Sequence, residues 1–114
     1  MRNWPSLSEI IERRIAARKR EAVKALREAE TIAENEGGRL VVFGSLVEGN
    51  FDERSDIDVA LYGVSKDRAL SVASRIGTCF GMRDLGVDVV PEHFMSKSLK
   101  KRIEKHGRES CTLE

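Results

Sequence analysis

Residues 40–62 read LVVFGSLVEGNFDERSDIDVALY, and this stretch decides the fold. Leu40-Val41-Val42-Phe43 is a short continuous apolar run, the pattern of a strand covered on both faces. Asp56 to Tyr62 alternates a carboxylate or small residue with Ile57, Val59 and Leu61, the period of two that marks a second strand. Gly44 to Ser55 between them is a polar, glycine-bearing connection.

Upstream, Ser6 or Ser8 is placed to cap a long helix that runs to about Glu36. Ile11, Ile15, Ala22, Leu26, Ala29 and Ala33 recur at helical spacings and form one apolar stripe. Ile10, Val23 and Ile32 fall outside that stripe, which predicts a second apolar strip. Arg13, Arg14, Arg18, Lys19 and Arg20 crowd the middle of the helix, the pattern of a solvated face or of a contact with an acidic partner or RNA. Glu28, Glu30, Glu34 and Glu36 crowd its C-terminal end, where the backbone dipole disfavours negative charge, so that end is expected to be frayed or partnered. Gly37-Gly38 stops the helix, because glycine enters the left-handed conformation without a Cβ clash.

Downstream, Ser65 is read as the cap of a helix to about Phe80 that buries Ala69, Val72, Ala73 and Ile76. Val87-Asp88-Val89-Val90 is a third strand closed by Pro91. A last helix spans roughly Ser96 to His106 with Leu99 and Ile103 inward and Gly107 as its cap, and Cys111-Thr112-Leu113 is a candidate edge strand. The fold class is α/β (α+β in stricter usage): a short mixed sheet, helices mainly on one face and aspartates on the other. One domain is expected over residues 1–114, with a long N-terminal helix over 1–36 and the core over 39–107.

Composition excludes several classes. The charged fraction is 34% and the formal net charge +1, which fits neither a disordered chain nor a basic nucleic-acid binder. No apolar run approaches the ~18 residues of a membrane span, and the N-terminus lacks the apolar core of a signal peptide. Cys79 and Cys111 have no metal-finger spacing and read as reduced thiols. The expected location is the cytoplasm.

Three aspartates stand where core strands should be apolar. Asp56 and Asp58 are two apart, so their carboxylates leave one face of a strand while Ile57, Val59 and Leu61 leave the other. Asp88, flanked by Val87 and Val89, would join them if the strands pair. Crowded carboxylates repel, and a hard divalent cation such as Mg²⁺ cancels the repulsion; a triad of this type can hold two ions. Ahead of it, Gly44 allows close approach of a phosphate and Ser45 offers a hydroxyl donor.

Gly44-Ser45, ten intervening residues, then Asp56-Ile57-Asp58, with Ser55 before the first aspartate and a third aspartate in Val87-Asp88-Val89, resembles the signature of the minimal nucleotidyltransferases of the DNA polymerase beta-like superfamily. The resemblance runs from about Arg39 to Gly107. It implies that Gly44 and Ser45 bind a triphosphate, that Asp56 and Asp58 hold both metals, and that Asp88 completes one metal site and helps activate the acceptor. It also implies ATP as donor. Several members act as antitoxins that adenylylate a tyrosine of a HEPN-domain toxin, so a HEPN-type partner is expected. One departure stands out: many members carry an arginine between the two glycines, where Leu46-Val47-Glu48 stands here. Arg54 and Lys66 are candidates for the missing positive charge.

Competing readings fit these residues less well. A solvated acidic face would make the Gly-Ser spacing a coincidence. An EF-hand fails for lack of its glycine and terminal glutamate, and a glycosyltransferase DxD needs a larger donor domain. Gly49 is read as part of the phosphate loop or as a plain turn. His93 and His106 are expected at the surface, Trp4 as an anchor of the N-terminal segment, and Tyr62 at the rim of the sheet or as a modification site. The expected activity is Mg²⁺-dependent transfer of a nucleoside monophosphate to a partner, the alternative being a binding module without turnover. Larger relatives append a helical domain; here a partner, or a second copy joined through the N-terminal helix, is expected to support the acceptor.

Overall fold

A computed structural model describes residues 4–109. Ser6 caps the first helix: its hydroxyl accepts the Glu9 N–H at 3.2 Å, satisfying one of the donors that a helix start leaves without a partner. Helix α1 runs Leu7–Asn35 and buries Ala22, Ala25, Leu26, Ala29 and Ala33. It ends in a glycine motif. Gly37 takes φ +79, its N–H bonds to the Glu34 carbonyl at 2.9 Å, and Gly38 reaches back to Ala33 at 2.8 Å.

The acidic end of α1 is partnered. Glu36 pairs with Arg68 at 2.7 Å and Arg75 at 3.4 Å, and Arg83 bridges Glu21 at 2.7 Å and Glu28 at 2.6 Å. All three arginines come from α3 (Lys66–Gly81) or the turn after it. These pairs clamp α1 to α3 and offset the unfavourable dipole term.

The sheet holds four strands in the order β3-β2-β1-β4. Strand β1 (Arg39–Phe43) pairs antiparallel with β2 (Ile57–Tyr62), and β2 pairs parallel with β3 (Val87–Pro91). A parallel pair needs a crossover, which α3 supplies. The edge strand is β4 (Arg108–Glu109), antiparallel to β1; the predicted edge strand at Cys111-Thr112-Leu113 lies outside the described residues.

Alternation along the strands splits the core in two. Leu40, Val42, Ile57, Val59 and Leu61 pack with α1 and with Val72, Ile76 and Phe80 of α3. Each such side chain, fully buried, contributes about 1.5–3 kcal/mol. Val41, Phe43 and Ala60 point the other way and meet Ile103 of α4 (Lys97–His106). Two helices therefore cover one face, and α4 covers part of the face that carries Asp58.

Two predicted caps work differently. Ser65 occupies the N-cap position of α3 without a side-chain cap bond, its carbonyl instead accepting the Arg68 N–H at 3.0 Å. Gly107 follows α4 with φ −66, so it is no left-handed cap. A Cβ there would stand 2.7 Å from Val41 Cγ1 and 2.6 Å from the Ile103 carbonyl, so glycine permits close approach of chain to sheet.

Candidate active site

The connection from β1 to β2 is built around Gly44. It opens a single helical turn, α2 (Ser45–Glu48), and its carbonyl accepts the N–H groups of Val47 at 3.2 Å and Glu48 at 3.0 Å. Leu46 and Val47 pack against the α1–α3 core, as does the buried Phe51. Gly49 closes the turn at φ +90 with open space around it. That left-handed conformation is what its place in a turn requires.

Asp52 then shapes the approach to Asp56. Its carboxylate accepts the Arg54 N–H at 2.8 Å and the Ser55 hydroxyl at 3.1 Å, while Ser55 Oγ accepts the Asp52 N–H at 3.0 Å. The Arg54 amide and Ser55 hold the Asp52 carboxyl below its ordinary range. Both peptide groups flanking Asp56 are tied down. Arg18 of α1 donates to the Ser55 carbonyl at 3.1 Å, and the Ile57 N–H bonds to the Gly86 carbonyl at 2.9 Å. Arg14 lies 3.9 Å from Glu53. Part of the basic cluster of α1 thus serves as a strut for this loop.

Asp58 lies opposite Phe43 on β1 and opposite Asp88 on β3. Its side chain fills the space where a Cβ on Gly44 would stand, and Asp56 does the same at Gly86. The sheet therefore seats two carboxylates against two glycines. Asp56 and Asp88 are exposed, whereas Asp58 is half-buried. Burial raises the Asp58 carboxyl above its ordinary value, and the charges of Asp88, Asp56 and Glu48 add to the rise while Arg102 opposes it. So the three predicted aspartates are electrostatic neighbours. They lie spread across adjacent strands, and among the described residues no three His, Cys, Asp or Glu side chains form a ready-made metal cage.

The donor set suits a hard cation: carboxylate oxygens only, from neighbouring strands. On that chemistry the residues fit Mg²⁺.

Glu48 neither points away nor stands unpaired. Its carboxylate meets Arg102 of α4 at 2.6 Å. Arg102 thus places positive charge beside Glu48; of the two cations expected there, Arg54 joins the Asp52 turn through its backbone amide and Lys66 opens α3.

Three contributors escape a reading of the sequence. Gly86 had a usable signal, a glycine two residues ahead of a strand aspartate. Arg18 and Arg102 had none, since nothing local marks which of many basic residues reaches the site. His93 lies against the Val64 carbonyl at 3.0 Å, away from the aspartates, and His106 is exposed. Tyr62 sits under the Arg39 guanidinium, 4.7 Å from its ring centre, and burial raises its hydroxyl pKa. Burial also raises the Cys79 thiol; Cys111 lies outside the described residues. No helix among the described residues is long and apolar enough to cross a membrane.

The family described as "Nucleotidyltransferase domain" matches residues 19–110. Among solved structures, a chain in a structure described as "Crystal structure of the toxin-antitoxin with AMP-PNP" is similar with a TM-score of 0.52 and 20% identity. The likeness covers 81% of this chain and 71% of that one, and at such identity it speaks to the fold. No curated protein matches the chain.

Proposed function

The chain belongs to the nucleotidyltransferase-domain family, and from that premise we propose that it transfers a nucleoside monophosphate, AMP from ATP, onto a partner protein and so acts as an antitoxin. The observation that carries the catalytic part is the seating of Asp58: opposite Asp88 across the parallel pair and against the bare Cα of Gly44. The partner and the adenine nucleotide are supported by the sequence resemblance and by the similar fold in a toxin–antitoxin structure with AMP-PNP. A HEPN-domain toxin is the expected acceptor.

Mg²⁺ held by Asp56, Asp58 and Asp88 would supply the positive charge that cancels their repulsion and polarises the α-phosphate. Gly44 and Ser45 bind the triphosphate, the serine through its hydroxyl. Asp88 accepts the proton of the acceptor hydroxyl. That oxygen bonds to the α-phosphorus, the bond from the α-phosphorus to the bridging oxygen breaks, and pyrophosphate departs.

The test is to incubate the protein with its genomic neighbour, Mg²⁺ and each NTP in turn, and to read the intact mass of the neighbour. One added nucleoside monophosphate is expected with ATP, lost entirely in Asp58→Asn. Ser45→Ala should mainly weaken NTP binding, since it removes one phosphate hydrogen bond. A second reading, a module of the same fold that binds nucleotide or partner without turnover, is favoured by Glu48, whose charge acts on Asp58. It takes over if NTP binds and Asp58→Asn leaves the neighbour's mass behaving as with wild type.

A further inference from the structure

Helix α4 reaches the site from the face opposite α1 and α3. Ile103, only 3% exposed, roots it against Val41, Phe43 and Ala60, and Arg102 is the next residue back along the chain. The guanidinium spans from α4 to α2 and meets the Glu48 carboxylate at 2.6 Å. Glu48 is itself one helical turn from Gly44 and Ser45 at the start of α2, its N–H bonded to the Gly44 carbonyl at 3.0 Å. The pair therefore bridges the end of the sheet beside Gly44, Ser45 and Asp58.

Resting on the nucleotidyltransferase reading, we propose that Arg102 is a triphosphate-gripping residue of this chain and that Glu48 is its resting partner, displaced when nucleotide enters. Three observations carry it. The site is rich in carboxylates (Asp56, Asp58, Asp88 and Glu48), so a triphosphate arriving there needs a cation from the protein. Arg102 Nη2 stands 2.6 Å from the carboxylate of Glu48, whose own N–H is bonded to the Gly44 carbonyl, so the guanidinium lies within one helical turn of Gly44 and Ser45. The pair is also built to open: the Arg102 side chain is 55% exposed and that of Glu48 28%, and an exposed ion pair adds little to stability. A guanidinium binds phosphate through two parallel charge-assisted hydrogen bonds, so exchanging one carboxylate for a polyphosphate favours the nucleotide complex. Glu48, freed, turns to solvent beside the left-handed Gly49.

The experiment is calorimetric titration of the protein in Mg²⁺ with α,β-methylene-ATP, whose α–β linkage cannot be cleaved, so binding is read apart from turnover. Thermal melts of each variant without nucleotide check that the fold is kept. Arg102→Gln should weaken binding by roughly 10- to 100-fold, while Glu48→Gln should bind at least as tightly as wild type. The double variant Glu48→Arg/Arg102→Gln should regain binding, because the guanidinium then comes from α2. Arg102→Gln binding like wild type, or Glu48→Gln weakening as much as Arg102→Gln, would overturn the proposal and leave the nucleotidyltransferase reading intact. Wild-type protein that binds no nucleoside triphosphate would overturn both.

Discussion

The carboxylate of Asp58 and the bare Cα of Gly44 share one space: a side chain on Gly44 would stand where Asp58 now lies. Gly44 also adopts φ 76 and ψ −152, a conformation open to glycine and costly for other residues. Gly44→Ala should therefore lose about 1–3 kcal/mol of stability from backbone strain, and NTP binding with it as Asp58 is pushed aside. Gly86→Ala meets only the exposed, rotatable Asp56 side chain, so its stability loss should be smaller. Urea denaturation of the two variants checks the order, and equal losses would contradict it.

Mg²⁺ or Mn²⁺ should raise the thermal midpoint, since a cation that binds only the folded triad stabilises the native state. The rise should be far smaller in Asp56→Asn/Asp58→Asn. Without metal, Asp58→Asn alone should be more stable than wild type at neutral pH, because it removes a half-buried charge beside Asp88 and Asp56. An equal metal-induced rise in wild type and double variant, read by differential scanning fluorimetry, would remove the support for a metal triad.

Glu36 links pH to the clamp between α1 and α3. Its hydrogen bond with Arg68 lowers its carboxyl below the ordinary 4.5. A folded-state value below the unfolded one gives stability that is complete above 4.5 and lost as pH falls through the folded value. Glu36→Gln should thus be less stable than wild type at neutral pH, and the difference should vanish in acid. A difference that persists unchanged at pH values below both would assign the effect to packing.

The N-terminal half of α1 offers an apolar surface that the core leaves uncovered. Ile32 packs partly against the core, which narrows the predicted second strip. Leu7 is 73% exposed, and Ile10 and Ile11 are half-buried one turn further on. A surface of this kind fits another chain. Size-exclusion chromatography with light scattering should show an oligomer, or a complex with the genomic neighbour, that Ile10→Ser/Ile11→Ser disrupts. A strict monomer that ignores the neighbour would sink this expectation.

The sequence by itself determined the local periodic features. The apolar alternation of Ile57, Val59 and Leu61 set which face Asp58 leaves. The spacing of Ala22, Leu26, Ala29 and Ala33 set the buried stripe of α1, and Gly37 set its end. These are legible because helix and strand periods, and the need for glycine at positive φ, act within a few residues. The tertiary structure alone decided that Asp88 stands opposite Asp58, that Asp56 rests on Gly86, and that Arg18 and Arg102 reach the site from helices at its two sides. Gly107 makes the same point: its place after a helix suggested a cap, while its contact with Val41 is the reason for glycine. Such relations join residues tens of positions apart. They follow from how whole helix and sheet faces pack, and no local period encodes that.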